Sequence, residues 1–535
     1  MATQPVLVVG LDGVPFRYLD RFDDRLPTIR RLRETGFEAP LESIHPPWTG
    51  CAWPSMYTGV DPSHHGVYDF FDFRGTYPDD ADVITRQDVR APAVWEYLTE
   101  RDRRSVVVNV PVTHPATELE GVLLPGYLAP EDEEGYPPGI RAELSSAVGR
   151  EYRIYSEHET ASKSAEKIDG YERLIRHRAE AAAHLLETEP WDFAFVQVQK
   201  TDAVFHNSDS ERDFRRIYEA ADDLIARLID ACEEEPNVIV CSDHGIGPVT
   251  GHTVYVNELL RENGYIETTS EATRATLAEL KGDGTADERP VDEAVARLAA
   301  LGQRVGVTPA SVYRAAERVG LETVLERVVP EDVQRSAMPG IDWRNSKAFC
   351  RRASELGIRI NLEGRDPDGV VPQARYEEVR DDVIDLLSSL EVEPGEPAFE
   401  FVERREEVYD GPYAEDACDV LFRPTDMNNY VSAELAGRRT IPVDTYNHKR
   451  TGVLVAAGPD VESGTGETRS LLDVAPAIFS LLGEPVPERM QGEVPAPLAS
   501  TSVDRAPYDA TVGADETYEQ DQTEVTERLS DLGYL

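Results

Sequence analysis

Five short runs of apolar, largely β-branched residues constrain this chain more than any other feature: Val6–Leu11, Ser105–Val110, Phe193–Val198, Val238–Cys241 and Gly452–Ala457. Each is continuous rather than alternating and is bounded by Gly, Pro or Asp. That is the pattern of strands buried on both faces of a parallel sheet. Helical patterns lie between them. Phe214, Ile217, Tyr218, Ala221, Leu224, Ile225 and Leu228 recur at the spacing of one helix face, and a second amphipathic stretch runs from Ile168 to Leu186. The alternation predicts a doubly wound α/β fold, with a mostly parallel central sheet flanked by helices.

At 535 residues the chain exceeds one core of ordinary size, so more than one lobe is expected. The strand–helix rhythm assigns 1–266 and 337–494 to a catalytic domain. It breaks over 267–336, a polar stretch rich in Ala, Glu and Arg that reads as an inserted helical lobe. Residues 373–391 predict a helix, followed by a strand over Ala398–Val402. Residues 495–535 read as an acidic C-terminal tail, loose over 495–523 and closed by a short terminal helix.

The formal charge is −47, and the basic residues are 48 Arg against only 6 Lys. An acidic, Lys-poor surface stays hydrated when concentrated salt screens its self-repulsion, so the expectation is a halophilic, cytoplasmic protein. Such a surface repels nucleic acid and anionic membranes, which excludes both as stable partners. No apolar run approaches the roughly 20 residues of a membrane span. The five cysteines are scattered without a CxxC pair, which argues against a disulfide framework or a thiolate zinc site. Oligomeric state is open.

The chemistry-bearing residues gather at strand ends. Asp12 follows the first apolar run directly. Thr49 lies in HPPWTGCAWPSMYTGVDPSHHGVYDF, a block of turn formers and aromatics, as a hydroxyl nucleophile that needs a base or metal. Ser55 and Thr58 in the same block read equally as helix caps. Asp202 and His206 follow Phe193–Val198, and their spacing of four puts both on one helix face. Asp243 and His244 end Val238–Cys241, and His448 precedes Gly452–Ala457. Each has a bland reading as a turn or structural residue. Together, three carboxylates and three imidazoles form a donor set for two divalent ions, suiting Zn²⁺ or Mn²⁺ above Ca²⁺. Two ions about 4 Å apart polarise a phosphoryl group and ionise a hydroxyl. Arg351, Arg352 and Lys449 are further cations that could face a phosphate.

In the order and spacing of these blocks the chain resembles the alkaline phosphatase superfamily, specifically its type I phosphodiesterase/nucleotide pyrophosphatase group and the related microbial phosphohydrolases and phosphomutases. The resemblance runs from VVGLDG through SDHGIGPVTGH to NHKRTGVLVAAGP and DVAPAIFSLLG. It implies one metal on Asp202, His206 and His448, and a second on Asp12, Asp243 and His244 with Thr49 adjoining. Thr49 would attack phosphorus in a small phosphorylated substrate, form phosphothreonine, and be released by water. Transfer to another acceptor, as in a mutase, is the alternative within that resemblance, and a scaffold that has lost catalysis is the alternative outside enzymes. Cys51 stands where relatives often have Pro. It raises a sulfatase reading, but Cys51-Ala52-Trp53-Pro54-Ser55 lacks the C-x-P-x-R signature.

Overall fold

The computed structural model describes residues 4–159, 161, 163–269, 340–499, 503–511, 525, 526 and 529. Its centre is a nine-stranded sheet. The strands are β1 (Val6–Leu11), β2 (Phe37–Glu42), β3 (Ser105–Val108), β4 (Gly121–Leu124), β5 (Phe193–Val198), β6 (Asn237–Cys241), β9 (Thr451–Ala457), β10 (Gly464–Thr465) and β11 (Arg469–Ser470). A short ladder outside it joins β7 (Gly245–Val249) to β8 (Thr445–Lys449). The order is β10-β2-β9-β6-β1-β5-β3-β4, with β11 also on β2. All pairs are parallel except those of β9, which runs against both β2 and β6.

β1, β5 and β6 are buried along their whole length, as unbroken apolar runs require. The sequence misses β2: its burial alternates, and Pro40 removes a ladder donor, so FEAPLE reads weakly as a strand. Among the helices, α1 (Pro27–Thr35), α3 (Ser164–Thr188), α4 (Lys200–Asn207) and α5 (Glu211–Asp230) pack together, while α2 (Thr49–Thr58) packs with α6 (Val474–Leu481). The helix expected over 373–391 forms as Tyr376–Ser388, and the strand expected over Ala398–Val402 as Phe399–Arg404. That strand belongs to a second, four-stranded sheet.

The inserted lobe lies almost entirely outside the described residues; its flanks Thr268–Thr269 and Gly340–Ile341 pair antiparallel. The terminal helix likewise falls mostly outside them. Part of the tail expected to be loose is ordered: Arg505–Ala506 pairs with Val486–Pro487, and Tyr508 donates to the Pro485 carbonyl at 2.6 Å. Backbone pairing and one aromatic suffice there, which a low apolar count conceals. Among the described residues no helix is long and apolar enough to cross a membrane.

Candidate functional site

The parallel strands β1, β5 and β6 end on the same edge of the sheet, and antiparallel β9 begins there. Ligand sites of doubly wound sheets lie beyond this carboxyl edge. Asp12 leaves β1, α4 follows β5 carrying Asp202 and His206, and Asp243 and His244 leave β6. The β7–β8 ladder pairs His448 with Ile246, two residues past His244. All six side chains converge, five of them buried and His206 partly so.

Asp12 Oδ1 lies 3.4 Å from His244 Nε2, and Asp243 Oδ2 lies 3.3 Å from the same nitrogen. Asp202 Oδ2 is 3.1 Å from His206 Nε2, one helical turn on, and its Oδ1 is 3.7 Å from His448 Nε2. Two groupings could hold a metal ion, Asp12–Asp243–His244 and Asp202–His244–His448. The first is the expected set. The second gathers Asp202 and His448 with His244, and His206 stands beside Asp202. His244 Nδ1 contacts the Gly245 carbonyl at 3.0 Å and His448 Nδ1 the Pro47 carbonyl at 3.1 Å, which leaves each Nε2 for the cluster.

Thr49 is the first residue of α2, where the helix presents free backbone N–H groups and its positive end. Its Oγ1 is 3.2 Å from Asp12 Oδ1 and 3.3 Å from His244 Nε2. Gly13, at φ 64°, has no room for a Cβ, which would stand 2.7 Å from Asp202 Oδ1. Ser55 contacts His65, and Thr58 bonds the Pro54 carbonyl, so both have structural partners.

The sequence analysis did not single out Trp53, Gln197 or Asn109. Asp12 Oδ2 accepts from Trp53 Nε1 at 3.0 Å and from Gln197 Nε2 at 2.9 Å, and Asn109 Nδ2 donates to Gln197 Oε1 at 2.9 Å. Gln197 had a visible signal, a lone polar residue inside the apolar run FAFVQV. Trp53 and Asn109 had none, since tertiary packing alone brings them in.

Arg351 does not face the cluster. It is buried against Glu355, with Nε donating at 2.8 Å, and stacks on Phe73. Arg352 lies over Phe71, and Lys449 Nζ donates to the Met427 carbonyl at 2.5 Å. Burial pushes the Cys51 thiol well up, with Asp69 and Glu355 adding to it.

The electrostatics are those of crowded charge. Burial raises the Asp12 carboxyl, and burial with Asp12 beside it raises that of Asp243 well above its ordinary value. Burial disfavours the His244 cation, yet Asp243 and Asp12 raise it to about 10. Burial and the neighbouring His244 hold His448 well below the ordinary range. Burial opposes the Asp202 anion, but His206 and His448 hold its carboxyl down.

The doubly wound sheet carries three carboxylates, three imidazoles and a helix-start threonine at its carboxyl edge. The family model of type I phosphodiesterase / nucleotide pyrophosphatase matches residues 6–337, and the chain belongs to that family. Phosphonoacetate hydrolase from Sinorhizobium meliloti shares the fold at 15% identity and TM-score 0.55, over 90% of this chain and 96% of that one. The alkaline phosphatase PafA does so at 15% identity and TM-score 0.50, over 92% and 99%. Human ectonucleotide pyrophosphatase / phosphodiesterase 5 aligns at 12% identity and TM-score 0.50, over 90% and 95%. No curated protein matches the chain.

Proposed function

We propose that the chain hydrolyses phosphate esters of small molecules at a centre for two divalent ions, with Thr49 as nucleophile. The observation that carries this is the position of Thr49 Oγ1, within 3.3 Å of both Asp12 and His244 at the start of a helix.

The residues fit a metal pair. Asp243 Oδ2 and both Asp202 oxygens are buried and accept no well-aligned hydrogen bond. Buried carboxylates in that state are costly unless a cation meets them. Asp12, Asp243 and His244 would hold one ion, and Asp202 and His448 the other, with His206 beside them. When bound, Zn²⁺ or Mn²⁺ polarises the phosphoryl oxygens and favours the ionised hydroxyl and leaving oxygen.

Thr49 Oγ1 releases its proton on the side of Asp12 and His244. Its oxygen bonds to phosphorus as the ester P–O bond breaks, and the departing alkoxide takes up a proton. Water then cleaves the phosphothreonine and restores the hydroxyl. The N–H groups at the start of α2 stabilise the charge spread over the phosphoryl oxygens. Trp53 and Gln197 hold Asp12 in place throughout. Substrate choice is assigned to the 267–336 lobe and to loops such as Pro125–Tyr136.

The test is hydrolysis of bis(nitrophenyl) phosphate, nitrophenyl phosphate and nitrophenyl sulfate with Zn²⁺ or Mn²⁺. Cleavage of a phosphate ester that a chelator abolishes supports the reading and separates diesterase from monoesterase. Cleavage of the sulfate alone would sink it.

A further inference from the structure

Away from the catalytic edge, the turn after residue 149 folds against α3 and encloses a cleft of about 180 Å³. Arg150, Arg153, Arg173 and His177 line it, together with Glu151 and Glu157. Three guanidiniums line this one hollow in a chain of net charge −47. Arg153 is engaged by Glu151 at 3.3 Å and by Glu157 at 3.5 Å. Arg150 and Arg173 are exposed and make no side-chain ion pair within 4.0 Å among the described residues. His177 is 7% exposed, and its buried Nε2 makes no hydrogen bond.

Behind this wall lies Arg178, buried, donating to the Ile154 carbonyl at 2.9 Å. Burial and the nearby Arg150, Arg178 and Arg153 lower the His177 imidazole to about 4, so the ring is neutral and its surroundings are positive. The two glutamates are largely exposed, at 63% and 65% of their side chains. Guanidiniums bind tetrahedral oxyanions through paired N–H groups, and the cleft suits an anion of that size.

We propose that this cleft is a second binding site, separate from the catalytic cluster, for a small tetrahedral oxyanion: phosphate, free or as the end group of a small molecule. Arg150 and Arg173 supply the charge that no ion pair within 4.0 Å engages, and His177 forms part of the wall.

Phosphate is titrated calorimetrically into the full-length, metal-loaded protein and into its Arg150→Gln/Arg173→Gln variant. Methylphosphonate serves as the stand-in for a singly substituted phosphoryl group. The expected result is two classes of phosphate site, one catalytic and unaltered and one that weakens at least about tenfold in the variant, while nitrophenyl phosphate turnover is unchanged. Both arginines are exposed, so the variant keeps its fold, and His177→Gln provides a second, uncharged disruption with the same expected loss. Equal binding of methylphosphonate assigns the site to an esterified phosphoryl group, and weaker binding assigns it to free phosphate. Unchanged phosphate stoichiometry and affinity in both variants overturns the proposal. Turnover is read separately, so failure here leaves the catalytic reading untouched, and failure there leaves this one.

Discussion

The rings of His244 and His448 stack with centroids 3.8 Å apart and planes 19° from parallel. They come from opposite halves of the chain, joined here by the β7–β8 ladder and the neighbouring β6–β9 pair. Two imidazoles this close cannot share positive charge. Accordingly, the acidic neighbours raise His244 while His448 is held neutral, ready to donate a lone pair.

Replacing the nucleophile separates chemistry from metal binding. Thr49→Ala is expected to keep full metal content and lose turnover by on the order of a thousandfold or more. Metal analysis beside nitrophenyl phosphate kinetics checks this; an active Thr49→Ala protein would falsify the assignment of the attacking hydroxyl.

Removing a shared ligand acts differently. His244 stands in both metal-binding groupings, so His244→Ala is expected to lower metal content and to reduce activity by at least about a hundredfold. Metal stoichiometry after gel filtration is the measurement, and undiminished binding counts against the shared role.

The residues behind Asp12 are positioning residues. Trp53→Phe removes one donor to Asp12 Oδ2, and Gln197→Leu removes the other. Each is expected to weaken metal affinity by about 10- to 100-fold, with kcat partly restored by added metal. A variant whose kcat falls and does not recover at saturating metal would place the residue in the chemical step instead.

Stripped of metal, the cluster should sense pH. Asp12, Asp243 and His244 have raised values in the fold, so the folded state binds more protons than the unfolded one and loses stability as pH rises. For His244 that loss runs from its ordinary 6.5 up to about 10. The depressed Asp202 and His448 act below that window, where their contribution fades as pH falls. Between pH 7 and 9 the melting temperature of chelated protein should drop, and saturating metal should widen its lead over the chelated form. An equal gap at both pH values would contradict this.

Arg351→Leu tests the correction made at that residue. It strands the buried Glu355 carboxylate near Asp69, which burial and Glu355 already raise to about 7. A stability loss of about 3–5 kcal/mol is expected, with KM for a phosphate ester unchanged. A raised KM with normal stability would return Arg351 to the substrate.

The amino-acid order by itself determined the sheet core and the donor inventory. Val6–Leu11 and Phe193–Val198 form strands to the residue, because unbroken β-branched runs have nowhere to go but a doubly covered sheet. Asp202 and His206 share a helix face because a spacing of four is local geometry. Strand β2 escaped notice, since its alternation and Pro40 make sense only beside β9. Tertiary structure alone decided the rest. It set His244 against His448 and drew Trp53 and Gln197 behind Asp12. These contacts span up to 204 positions of chain between His244 and His448, or 448 minus 244. Periodicity and spacing report only on neighbours in sequence, whereas such long-range contacts are set by which strands pair and how their side chains pack.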